Sequence, residues 1–242
     1  MHLFVIEHYT NLDSLAPVIY KLALNNQKIY VCGTHPVKIY KNDKLVNFLE
    51  KIDNKIVYKD LLPMGFKENI ILSIINLISL LPKKIICGRS IWTKIAKNII
   101  LINKAKITNF IKEKKITSIS IDDSMLKEKQ NLLKEISINS KIPLIIYYTS
   151  SYTHIYNQKK SNDYSLNLSD YNIISNKLPN SEIKNKEKNY YIGIPRYNLE
   201  WFKILEKIYE KINKKEDDKI LRIAAFSHSA QRNYKNFKKL IN

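Results

Sequence analysis

Short apolar runs recur along the chain, each followed by a segment with helical spacing of its apolar residues, and this alternation restricts the fold more than any other feature. The runs are Leu3–Glu7, Lys28–Cys32, Lys55–Leu61, Lys84–Cys87, Thr117–Ile121 and Pro143–Tyr148. Most of them lack an in-out polar alternation, as expected for strands covered on both faces. Between them, Leu15, Ala16, Ile19, Leu22 and Ala23 form one apolar helical face. Leu45–Ile52, Glu68–Leu81 and Met125–Ile138 read as further helices. Ser90–Lys114 reads as mainly helical, with Ile99–Ile102 also readable as a strand. Strand-helix-strand repetition implies parallel pairing, so the expected fold is α/β, a doubly wound parallel sheet of Rossmann-like type.

Local chemistry marks several boundaries. Asn11-Leu12-Asp13-Ser14 reads as a helix-capping cluster, with Pro17 in the first turn, where its missing N–H costs little. Asp122-Asp123-Ser124 reads as another helix start. Asn157–Asp170 and Lys177–Lys188 read as loops, and Tyr171–Ser175 as a short strand between them. Asn198 caps a helix from Leu199 to about Lys214, expected to pack through Trp201, Ile204 and Ile208. The run 214–219 is a linker. Strand Ile220–Phe226, a polar turn holding His228 and a last helix then resemble the opening unit of a second α/β domain. The expected division is 1–213 and 214–242, with the tail either packed on the first sheet's edge or belonging to a longer two-domain protein.

Composition removes some classes of function. Cys32 and Cys87 both lie in apolar runs, so no disulfide framework is expected and a reducing cytoplasm suits the chain. Ile70–Leu81 is shorter than the ~20 residues a membrane span needs. No Gly-rich phosphate loop, zinc spacing or nucleophile elbow occurs, so no metal and no bound cofactor is expected. Lys+Arg outnumber Asp+Glu by 41 to 22, a net charge of +19. Only four of those cations are Arg, and the Lys are spread along the whole chain. Arg is the bidentate reader of bases and phosphates, so the excess charge argues weakly for nucleic acid.

In open α/β sheets, ligands bind beyond the carboxyl ends of the strands. Those ends carry Glu7, His8, Asn11, Asp13, Thr34, His35, Gly88, Arg89, Asp122, Asp123, Ser124, Thr149, Ser150, Ser151 and His154. Three of the five histidines fall here, and a histidine titrates near 6.5, suiting it to general-base work or phosphate contact. Each of these residues also has a plain reading as a turn or cap. Asp122-Asp123 could hold a metal or act as a base, and at least one of the pair is expected to be a helix N-cap.

The segment Tyr191-Ile192-Gly193-Ile194-Pro195-Arg196-Tyr197-Asn198-Leu199-Glu200-Trp201, with strand Ile220–Phe226, resembles the inter-domain region of bacterial surface-carbohydrate proteins. The opening Glu7-His8 and Asp13-Ser14-Leu15-Ala16-Pro17 is similar to their first β-α turn. The group is that of CDP-glycerol glycerophosphotransferases and UDP-N-acetylglucosamine 2-epimerases, with GT-B architecture. The resemblance implies an acceptor-binding N-terminal domain from a glycosyl- or glycerophosphate-transfer enzyme of surface polysaccharide assembly, incomplete without a donor-binding domain. A nucleotide-activated donor is implied only with that second domain. His8, Asp13 and His154 would be catalytic candidates. Asn11, His35, Asp122, Ser124 and Arg196 would bind substrate, a sugar or polyol-phosphate acceptor, with Arg196 near the hinge and facing a donor phosphate. The group's His-Gly pair after the Pro143–Tyr148 strand is not matched as a pair, since His154 is not followed by Gly: either His154 fills the role or the role is absent. Two other readings stand beside it: a basic nucleic-acid-binding module, and a non-catalytic partner of an anionic membrane surface, peripheral to its inner face.

Overall fold

The computed structural model describes residues 1–7, 9–34, 43–52, 56–59, 62–80, 101–148, 168–174 and 188–209. Met1–Tyr209 forms one compact unit. The expected strand Lys84–Cys87, the loops within 149–167 and 175–187, and everything from 210 onward, including Ile220–Phe226 and His228, lie outside the described residues.

The elements run β1 (His2–Ile6), α1 (Tyr9–Leu24), β2 (Ile29–Gly33), α2 (Lys44–Glu50), β3 (Ile56–Lys59) and α3 (Phe66–Leu80). Then come α4 (Lys104–Glu113), β4 (Ser118–Asp122), α5 (Lys127–Ser140), β5 (Leu144–Tyr148), β6 (Tyr171–Ile174), β7 (Asn189–Tyr191), a 3-10 turn (Pro195–Tyr197) and α6 (Leu199–Tyr209). The described strands form one seven-stranded sheet in the order β3-β2-β1-β4-β5-β6-β7. Every pairing is parallel, with Phe4 level with Val31 on one side and Ser120 on the other.

Two cores lie on the two faces. Leu3 and Val5 join Ile119, Ile121, Leu144 and Ile146 beneath α4 and α5, through Ile107, Phe110, Leu133 and Ile136. Phe4 and Ile6 point the other way and meet Leu12, Leu15 and Ile19 of α1, Leu45 and Leu49 of α2, and Trp201 of α6. The two-residue period of a strand thus explains why β1 is apolar at every position from Leu3 to Ile6. The expected inward residues of α6 hold: Trp201 is buried, and Ile204 and Ile208 pack beside it.

Four sequence readings change. Helix α1 begins at Tyr9, so Asn11–Ser14 lie inside it and Pro17 is interior rather than in the first turn. Proline there removes a backbone bond and costs about 3 kcal/mol. The burial of Leu12, Leu15, Ala16 and Ile19, all fully inaccessible, outweighs it, since each large apolar side chain is worth about 1.5–3 kcal/mol. Neither Asp122 nor Asp123 caps α5; its cap position is Leu126, without a side-chain bond of its own. Residues 101–103 are neither helix nor strand, and α4 starts only after Asn103, whose carboxamide takes the Lys106 N–H at 3.0 Å. Strand β7 was not anticipated; it adds at the sheet's end beside β6, where Asn172 donates to Asn189 at 2.8 Å.

Phe4 is fully buried and lies against the Tyr147 ring at 6.1 Å. Phe4→Ala should cost about 3–5 kcal/mol, a large part of the ~5–15 kcal/mol that holds a domain together. Urea titration should show a lower midpoint at unchanged slope.

Candidate functional site

After β3 the chain crosses to the other side of β1, so the strand order reverses between β1 and β4. Such a reversal opens a crevice beyond the carboxyl ends of the two strands. Polar residues at those ends are gathered there by topology, however far apart they stand in sequence.

Glu7 directly follows β1 and is almost wholly buried. One of its carboxylate oxygens accepts the Leu126 N–H at 3.0 Å, and the other pairs with the Lys129 ammonium, also fully buried. Glu7 therefore supplies from another strand the cap that α5 lacks, and its charge suits the positive end of that helix. Asn11, one turn into α1, spans the crevice. Its Oδ1 accepts the Glu7 N–H at 3.2 Å, and its Nδ2 donates to Asp122 Oδ1 at 3.0 Å and to Ser124 Oγ at 2.8 Å. Asp122 Oδ1 further accepts the Ser124 N–H at 2.9 Å and the Ser124 hydroxyl. Asp122 is thus the acceptor of a tight turn rather than a helix cap. Gln130 closes the turn from below, donating to the carbonyls of Asp123 at 3.0 Å and Met125 at 2.7 Å.

Thr34, at the end of β2, donates its N–H to the Ile6 carbonyl at 2.9 Å, which puts it on the same rim. Its hydroxyl is buried and meets no hydrogen-bond partner among the described residues. An unmet hydroxyl at a crevice is a group able to receive a ligand.

Asp13 and Arg196 form a second grouping. The 3-10 turn packs on α1, and its Arg196 guanidinium lies 4.9 Å from the Tyr197 ring centre. Burial raises the Asp13 carboxyl above its ordinary 3.8; the Arg196 charge opposes this, and Asp43, which caps α2, adds to it. A carboxyl shifted upward is a better base than an ordinary aspartate.

The structure thus brings Asn11, Asp122 and Ser124 into one network and sets Asp13 within electrostatic reach of Arg196. His8, His35 and His154 lie outside the described residues. Among the described residues no group of three His, Cys, Asp or Glu is placed to share a cation. Lys129 and Gln130 escaped the sequence reading. The available signal was periodicity, because Lys129 stands four residues before Leu133 and seven before Ile136, on the helix's apolar stripe. A cavity of about 300 Å³ lies away from the crevice, between α1 and α6, with Pro17, Leu22, Trp201 and Ile204 in its lining.

No family model matches the sequence, and no curated protein matches it. Among solved structures, UDP-GlcNAc 2-epimerase from Neisseria meningitidis, bound to UDP-GlcNAc, is similar at a TM-score of 0.45 and 13% identity. The likeness covers 86% of this chain and 53% of that one, so the chain spans about half the length of that enzyme. At this level the likeness carries no argument about activity.

Two measurements probe the site. Glu7→Ala should cost about 3–5 kcal/mol because it strands a buried ammonium, whereas Glu7→Leu with Lys129→Met should recover most of that loss in denaturant titrations. For Asp13, ionisation costs the folded state more than the unfolded one, so its contribution favours folding at low pH and is lost as pH rises past 3.8. Asp13→Asn should match the wild type in melting temperature near pH 3 and exceed it at pH 7.

Proposed function

We propose that this chain is the acceptor-side domain of a carbohydrate-active transferase of GT-B type, working in surface polysaccharide assembly. The observation that carries the reading is the convergence of Glu7, Asn11, Thr34, Asp122 and Ser124 on the crevice where the strand order reverses. The groups on offer there are short and hydrogen-bonding, suited to a hydroxyl-rich ligand, and the carboxylates are already engaged. Ser124 and Thr34 would orient a sugar or polyol-phosphate acceptor. Asp13 is the described catalytic candidate, taking the proton of the acceptor hydroxyl, with His8 and His154 as the alternatives for that role. Such proton transfer is worth about 10²–10⁴-fold in rate. Arg196 would meet a phosphate of the donor, which a second domain would bind. The acceptor would be presented at the inner face of the membrane.

The test is calorimetric titration of the full chain with glycerol 3-phosphate and with N-acetylglucosamine oligosaccharides. One of these should bind, and Thr34→Val and Ser124→Ala should each weaken binding about five- to tenfold, the worth of one hydrogen bond. No binding of either, combined with DNA binding that persists at about 200 mM salt, would replace this reading with the nucleic-acid one.

A further inference from the structure

Helix α3 is the exception to the packing described above. Its fifteen residues, FKENIILSIINLISL, are more apolar than those of any other described helix, yet none of its described side chains belongs to either core. Phe66, Ile70, Ile74 and Leu77 are 84, 44, 52 and 67% exposed. Their spacing of four, four and three places them on one face, a continuous apolar stripe. At about 1.5 Å per residue the helix is near 22 Å long, too short to cross a ~30 Å hydrocarbon layer.

Its neighbour supplies charge. Asn103, the cap of α4, donates to Glu68 of α3 at 3.1 Å, joining the first turns of the two helices. A Cβ on Gly65 would come within 2.6 Å of both the Asn103 amide and the Glu68 carboxylate, so a side chain there would push this pair aside. Helix α4 and the turn after it expose Lys106, Lys112 and Lys115 around the buried stripe of Ile107, Phe110 and Ile111, while Lys104 is paired with Glu135. An apolar stripe beside a lysine-rich helix, in a chain of net charge +19, is complementary to a bilayer with anionic headgroups.

We propose that the exposed face of α3, flanked by the lysines of α4, docks this chain on an anionic membrane surface, the stripe entering the headgroup layer. This deepens the membrane part of the function proposed above, and rests on that reading only for which surface is met. It needs no transfer activity, so vesicle binding and acceptor titration fail independently.

The experiment is flotation of the full chain with phosphatidylcholine vesicles, with and without about one third phosphatidylglycerol. Binding should require the anionic lipid. Ile70→Asp with Ile74→Asp should lower partitioning about tenfold or more, and Lys106→Glu with Lys112→Glu should do likewise, with circular dichroism unchanged because all four side chains are exposed. Phe66→Trp should become quenchable by brominated lipid beyond the wild-type level. Binding that survives the aspartates, or that leaves the new tryptophan unquenched, would mean that scattered lysines alone hold the membrane and would overturn the proposal. Equally, a lipid-free dimer that the aspartates dissociate would assign the stripe to a second copy of the chain.

Discussion

The buried contact between Glu7 and the start of α5 holds the two halves of the sheet to one geometry. Strand β1 is central, but the chain leaves it toward β2 and returns to its other side only at β4, more than a hundred residues later. Backbone ladders align β1 with β4; they do not fix how the helix after β4 is rotated. Glu7 does so, because its two oxygens need the Leu126 N–H and the Lys129 ammonium together. A carboxylate taken out of water without partners is untenable at this depth. With Lys129 turned inward, Leu133 and Ile136 face the sheet on the same stripe and Gln130 lies under the β4 turn. One charge pair thus sets the rotation of α5, and with it the loop that forms one wall of the crevice.

Satisfying those charges also shapes the chemistry left over. Asp122 looks like a candidate base or metal ligand, but its Oδ1 accepts from Asn11 and from both donors of Ser124. Its role is to hold a turn. In the reading proposed above the reactive role falls instead to Asp13, whose carboxyl pKa is raised mainly by burial. A crevice walled by engaged carboxylates, an engaged Ser124 hydroxyl and a Thr34 hydroxyl left over would discriminate by shape and hydrogen-bond count rather than by charge.

The strands were legible because a strand covered on both faces has no polar position to blur it: Leu3 to Ile6 is apolar throughout, and each successive side chain enters the opposite core. The same clarity reached Trp201 and Asn198, whose carboxamide takes the Glu200 N–H at 2.8 Å. What misled was local chemistry overruled by tertiary partners. Asn11 has the composition of a cap, yet its amide is used across the crevice, 111 residues away in sequence, so α1 starts before it. Lys129 reads as one more surface lysine in a lysine-rich chain, and only its place on the apolar stripe sets it apart. Strand β7 is three residues, two of them exposed tyrosines, too short and too open for a periodic signal.

The position of α3 ties the crevice to the surface beyond it. Leu62 donates its N–H to the Gly33 carbonyl at 2.9 Å, at the carboxyl end of β2, and Thr34 directly follows that strand. Phe66 follows Leu62 by four residues, so the chain between them spans at most about 14 Å. The apolar stripe therefore begins at the rim of the sheet that holds the polar crevice, not at its opposite end. A helix lying in the headgroup layer would bring that rim toward the membrane surface, where a hydroxylated headgroup would sit at the level of Thr34. The four residues 62–65, held to β2's end through Leu62 and leading into α3, would then decide how deep a membrane-held acceptor reaches, so lengthening 62–65 should affect presentation of such an acceptor while leaving a free one untouched.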